Sequence, residues 1–256
     1  VANAIRGATT LTERVRRALF SNGEQGGMWD ATDMATLFQD SAGTTPVTAY
    51  TQPIGRMLDM SGNGNHHLQS TAGARPQNTA DGALFDGVND ALATLPIDFT
   101  GTSEMTLAAA FTRLSGTHAA ALFGASVTIW ATSGNASIWT PEFGGSDEFV
   151  VQVKGNSPNI RNYGPLLDGV PTRVVATVRT TAVSSTAAIN TVINGNSVSG
   201  VSLSTNNSSG NFGEQPIQCS HETYSAHGYL RRALALDRPL TPDELLLVDA
   251  WLAEVQ

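Results

Sequence analysis

Two short polar loops, Asp59–Asn65 and Asp86–Asp90, lie within residues 58–92 and constrain the fold more than any other part of the chain. The first contains SGNGN. Glycine takes positive φ without steric cost, and Asn and Ser bond their own backbone to close tight bends. The second, in FDGVND, follows Leu84 and Phe85 and precedes Leu92 and Leu95. Polar bends between apolar runs mark strands that end, reverse and begin again.

The remaining sequence extends this β pattern. MTLAAAFTRL from Met105 alternates Thr106, Ala108, Ala110 and Thr112 against Leu107, Ala109 and Phe111. AAALFGA, SVTIWAT, ASIWT and EFVVQVK are further strand candidates bounded by Gly, Ser or Asn. PTRVVATVRT sets Val174, Ala176 and Val178 on one face. It leads to a hairpin whose Asn194–Gly195 pair suits a two-residue primed turn. SLSTNNSSGNFGEQPIQCS reads as a long surface loop with a strand at Pro216–Ser220, and Gly228–Leu236 as the last strand. Only 14% of the 256 residues are charged, and Ser, Thr, Asn, Gly and Ala fill the gap, as turn-rich β structure requires.

Helical spacing occurs at both ends. Leu11, Val15, Ala18 and Leu19 share a face of a basic helix capped by Thr10 or Thr12. Residues Ser21–Gly27 then read as a glycine-rich joint, so that segment 1–27 forms an anchor ahead of a domain spanning 28–256. The alternative is a helix packed on its own sandwich. Near the other end, Thr241, Pro242 and Glu244 spell a helix start, and Leu245, Val248, Trp251 and Leu252 its apolar face.

The D-x-SGNGN loop, FDG-x-ND, the RVVATV…NTVINGNSV hairpin and the RPLTPDELLLVDAWL ending occur in an order that resembles laminin-G-like domains of the concanavalin A-like lectin/glucanase superfamily. The block from Met28 through DMSGNGNHHLQ to ARPQ also resembles a module of bacteriophage and prophage structural proteins. Together the likeness covers about residues 29–256. It implies an all-β, concanavalin A-like jelly-roll antiparallel β-sandwich with short N-terminal and C-terminal helices. It also implies a virion structural component, a head or tail fibre, spike or decoration protein, that displays a lectin-like domain to host-surface carbohydrate. Such a protein assembles in the host cytoplasm, joins other virion proteins through its N-terminal segment, and forms a homo-oligomer within the particle. A purely architectural role and a polysaccharide-degrading role are the competing expectations.

Sandwich lectins stack sugars on aromatic faces. Trp130, Trp139 and Tyr163 are the carbohydrate-binding candidates, with Tyr224 beside them; core positions are the alternative for the tryptophans. Asp59, Asn63, Asp86, Asn89 and Asp90, with Asn65, offer the hard oxygens that calcium takes. The same side chains would equally brace turns, and no cofactor is required by the sequence. Glycosidases of the superfamily carry paired carboxylates on one strand. Glu142, Asp147 and Glu148 flank a Gly-Gly turn without that spacing, so no enzyme is expected. His66, His67, His118, His221 and His227 show no zinc spacing, and Cys219, the single cysteine, reads as a small buried residue. A net charge of −8 argues against a nucleic-acid partner, and no apolar run is long enough for membrane insertion. The N-terminal twenty residues lack the apolar core of a secretion signal.

Overall fold

The computed structural model describes residues 9–114, 120–125, 134–140, 148–154, 160–165, 167–181, 189–198 and 210–255. Two antiparallel sheets stack face to face. The first runs Asn196–Val198, Ile189–Ile193, Thr172–Arg179, Glu104–Arg113, His227–Leu236, Gly82–Asp86, Gln77–Thr79. One side of His227–Leu236 pairs with Glu104–Arg113. Its other side is shared: residues 227–230 pair with Gly82–Asp86, and residues 232–236 with Gly26–Asp30. The second sheet runs Ile160–Pro165, Glu148–Lys154, Asn135–Thr140, Ala120–Ala125, Ile217–Cys219, Leu92–Ala93, His67–Leu68, Arg56–Met57, Leu37–Phe38. The expected all-β sandwich is the observed one, and two α-helices are present among the described residues.

Period-two alternation builds the layer between the sheets. Trp29, Phe85, Leu107 and Phe111 from the first sheet meet Phe123, Ile138, Phe149 and Val151 from the second. Full burial of each such side chain stabilises by about 1.5–3 kcal/mol. Cys219 is fully buried here, 3.5 Å from Nε2 of the equally buried His67, whose ring lies 4.3 Å from that of Trp29. Asn194 and Gly195 adopt φ 48° and 81°, the backbone of the anticipated primed turn.

The outer positions of the first sheet are also buried, which alternation alone does not predict. Ala108, Ala110, Val175, Val192 and Leu234 lie under α1 (Leu11–Leu19) and α2 (Pro242–Ala253). Thr10 caps α1. Thr241 and Glu244 close a reciprocal capping box on α2. Val15 and Leu19 of α1 are fully buried, and Trp251 Nε1 of α2 donates to Thr12 Oγ1 at 3.1 Å. The apolar face of α1 is therefore spent on its own sandwich, the alternative kept open above for that helix.

The glycine pair at 26–27 begins a strand where the sequence suggested a joint. A Cβ at Gly26 would lie 2.0 Å from the Ala235 carbonyl oxygen, so only glycine permits this close pairing. The expected boundary between residues 27 and 28 falls inside that strand.

Candidate functional site

Beneath α2, Arg232 is buried and donates to Asp30 Oδ2 at 2.6 Å and to Glu254 Oε2 at 3.0 Å. Its guanidinium carbon lies 5.0 Å from the Trp251 ring centre. These groups fasten helix, strand and sheet together, and this outer face is closed.

The outer face of the second sheet differs. Register sets Arg56, Leu68, Ala93, Gln218, Gly124, Ser137, Gln152 and Arg161 in one row across eight strands. Gly124 contributes no side chain; a Cβ there would lie 2.4 Å from the Ala136 carbonyl oxygen. Over Leu68, Ala93 and Gln218 the surface sinks into a groove of about 600 Å³. Ser41 and Ala42 line it on one side, and His221, Glu222 and Thr223 on the other. Ligand sites commonly span about 300–1,000 Å³.

Both flanking loops are braced from within. The Asp40 carboxylate accepts from the Thr44 and Thr45 amides, which holds it well below the usual carboxylate range. Arg56 Nη1 donates to the Ala42 carbonyl at 3.0 Å. In the opposite loop Ala121 donates its amide to Tyr224 O at 3.0 Å, and Ala226 donates to Ser220 Oγ at 3.0 Å. Ser220 stands at φ 60°, a left-handed conformation that a non-glycine residue takes up only where the surroundings enforce it. The Thr223 amide donates to His221 Nδ1 at 3.1 Å, so the neutral ring carries its proton on Nε2. Partial burial depresses the His221 pKa, against a smaller upward pull from Glu222. Among the described lining residues, Glu222 is then the one charged side chain at neutral pH.

The carbohydrate candidates are dispersed. Trp139 is on this face, but it is only 3% exposed, packed with Ala121 and Val150. The ring of Tyr224 lies edge-on to it at 5.7 Å, and the His221 ring lies 5.8 Å beyond Tyr224. Trp139 thus supports the loop that walls the groove. Register places Tyr163 opposite Val150, in the row that holds Trp139. Trp130 lies outside the described residues, as do Glu142, Asp147 and His118; Glu148 begins the strand Glu148–Lys154.

The metal candidates lie in two separate loops with different partners. Asp59 Oδ1 accepts from the amides of Met28 and Ser61, at 3.1 and 2.8 Å. Its Oδ2 accepts from Ser61 Oγ and the Asn65 amide, at 2.7 and 3.0 Å. Asn63 and Asn65 both donate to the Gly26 carbonyl, and Trp29 Nε1 donates to Asn65 O. SGNGN is thus a clasp on the Gly26–Asp30 strand. Asp86 Oδ1 accepts from the Val88 and Asn89 amides, and Asp90 Oδ2 from the Asp86 amide. Burial, with Asp86 nearby as a weaker cause, raises the Asp90 pKa to about 6. Among the described residues no three His, Cys, Asp or Glu side chains form a group that could hold a metal. No described helix is long and apolar enough to cross a membrane.

The groove residues Gln218, His221 and Glu222 were not among the sequence candidates. The run HETYS directly after a strand was the available signal: titratable and aromatic groups in a turn.

No protein-family model and no curated protein matches this chain. Among solved structures it is similar to Trypanosoma rangeli sialidase in complex with sialic acid, with a TM-score of 0.58 and 10% identity over 90% of this chain and 33% of that one. The same sialidase in complex with 2,3-difluoro-KDN gives 0.56 and 11% over 95% and 38%. The binding domain of botulinum neurotoxin DC in complex with SialylT gives 0.51 and 10% over 93% and 52%. The chain spans about a third of the sialidase chain and about half of the toxin domain. At such identities the likeness is one of fold alone, an antiparallel β-sandwich.

Proposed function

We propose that this chain is a carbohydrate-recognition module of a bacteriophage-type virion component, binding host-surface glycan in the groove on the second sheet. The observation that carries the reading is the asymmetry of the sandwich. One outer face is sealed by two helices, and the other holds a groove between two internally braced loops. Pre-braced walls lower the ordering cost of binding. The sialidase and the toxin binding domain were solved with sialic acid and SialylT, which supports a sugar as the ligand class. The virion setting rests on the sequence resemblance of the block that contains SGNGN. Attachment to other virion proteins through the N-terminal segment would use the exposed Arg14 and Arg17, on the side of α1 away from its buried Val15 and Leu19.

Binding without bond cleavage is the favoured activity, because among the described residues Glu222 is the one carboxylate lining the groove and glycoside hydrolysis uses two. An array of bacterial surface glycans tests the reading: specific binding is expected, with no reducing ends released. Failure to bind any of them would favour the architectural role, which the covering of Trp139 by Tyr224 also favours.

A further inference from the structure

We infer that the groove selects uncharged glycans and rejects acidic ones; this rests on the groove being the glycan site. The argument is one of charge and donor inventory. Recognition of a sugar carboxylate or phosphate calls for Arg or Lys, whose charge-assisted hydrogen bonds offset the loss of water around the anion. Among the described residues the groove lining contains neither. Arg56 is the nearest cation by register, next to Leu68, but its Nη1 donates to the Ala42 carbonyl, and the Arg75 guanidinium behind Gln69 and Ser70 is committed to the Gln39, Gln69 and Ser70 carbonyls. Glu222 would stand against an incoming anion, and like charges placed together in a partly desolvated site oppose binding.

The same inventory suits a neutral sugar. A carboxylate accepts hydrogen bonds from two hydroxyl groups at once. His221, with Nδ1 occupied by the Thr223 amide, offers Nε2–H as a donor. Leu68 and Ala93 supply an apolar floor for the C–H face of a pyranose ring. Gln69 adds nothing to selectivity, since its amide is committed to Ala91 O and the Thr71 amide.

The test uses the full chain with matched neutral and sialylated or uronic-acid oligosaccharides, measured by calorimetry. Neutral oligosaccharides should bind at least about tenfold tighter than acidic ones. Glu222→Lys, at an exposed position that folding tolerates, should reverse that order, and Glu222→Gln should narrow it. Ala93→Phe should remove binding while the melting transition persists. Acidic sugars binding as tightly as neutral ones, or an order unchanged by Glu222→Lys, would overturn the inference and leave the glycan reading standing. Full binding by a folded Ala93→Phe would place the glycan elsewhere and also overturn it. No binding by either class would take down both.

Discussion

The two outer faces of this sandwich start from the same strand geometry and end differently. On the first sheet the outward positions are Ala108, Ala110, Val175, Val192 and Leu234, small or branched apolar groups on which helices can lie. On the second the comparable row reads Leu68, Ala93, Gln218, Gly124, Ser137 and Gln152. Alanines at 108 and 110 let Val15, Leu19 and Trp251 pack close to the sheet. The contrast teaches that outward-facing composition, more than strand propensity, decides whether a sheet face becomes core or surface.

If that division holds, changes on the sealed face should cost stability and changes at the groove should cost binding. Arg232→Ala is expected to be the most damaging. It strands Asp30 in a buried site and removes the contact with Trp251, a loss of about 3–5 kcal/mol in urea unfolding. A loss below about 1 kcal/mol would break the comparison, since the helices would then be held by something else. Asp59→Ala should cost about 3 kcal/mol by leaving the amides of Met28, Ser61 and Asn65 without an acceptor. Because those donors already occupy both Asp59 oxygens, the melting temperature should be the same with and without a chelator. A chelator-dependent shift would place calcium on these loops after all.

The interior between the faces predicts a pH dependence. Burial pushes the His67 pKa from 6.5 down to about 3, so the unfolded chain takes up a proton that the folded one refuses. Stability should therefore fall as pH drops from 6.5 toward 3, by at most about 1.4 kcal/mol per pH unit. Asp90 acts in the opposite sense. Its raised pKa, about 6 against 3.8, makes the folded state hold the proton more tightly, so its contribution is lost as pH rises through that window. The acid limb should steepen below about pH 4, where Asp90 no longer offsets His67 and the depressed carboxylates of Glu13 and Asp40 add to the loss, and His67→Leu should make it shallower. Thr241→Ala should cost about 1 kcal/mol by opening the capping box of α2. Smallest of all, Thr223→Ala at the exposed groove wall should move stability by no more than about 0.5 kcal/mol. A larger change would mean that the groove wall also supports the fold.

Much of the architecture was legible in the residues because its signals are local. The cap at Thr241, Pro242 and Glu244 and the Asn194–Gly195 turn need only a few neighbours in sequence, and both are present as read. The docking of α1 was not decidable, because an amphipathic face states that something covers it and not what. Gly26 and Gly27 look like a joint until Ala235 is brought against them from more than two hundred residues away. The groove was hidden for the same reason. Leu68, Ala93 and Gln218 share a row only through strand register, which pattern alone does not fix between distant strands. Trp139 shows the reverse problem: its strand was legible, but the partner that covers it, Tyr224, comes from a turn far along the chain.

The shared edge of His227–Leu236 carries a consequence for synthesis. That strand fills the middle of its sheet, and Gly26 waits for Leu236 as a partner. A ribosome must therefore deliver the chain through Leu236 before the first sheet can be completed. Until then Trp29 and Phe111 have no finished interior to enter, which makes the interval before His227–Leu236 emerges the time of greatest exposure to aggregation.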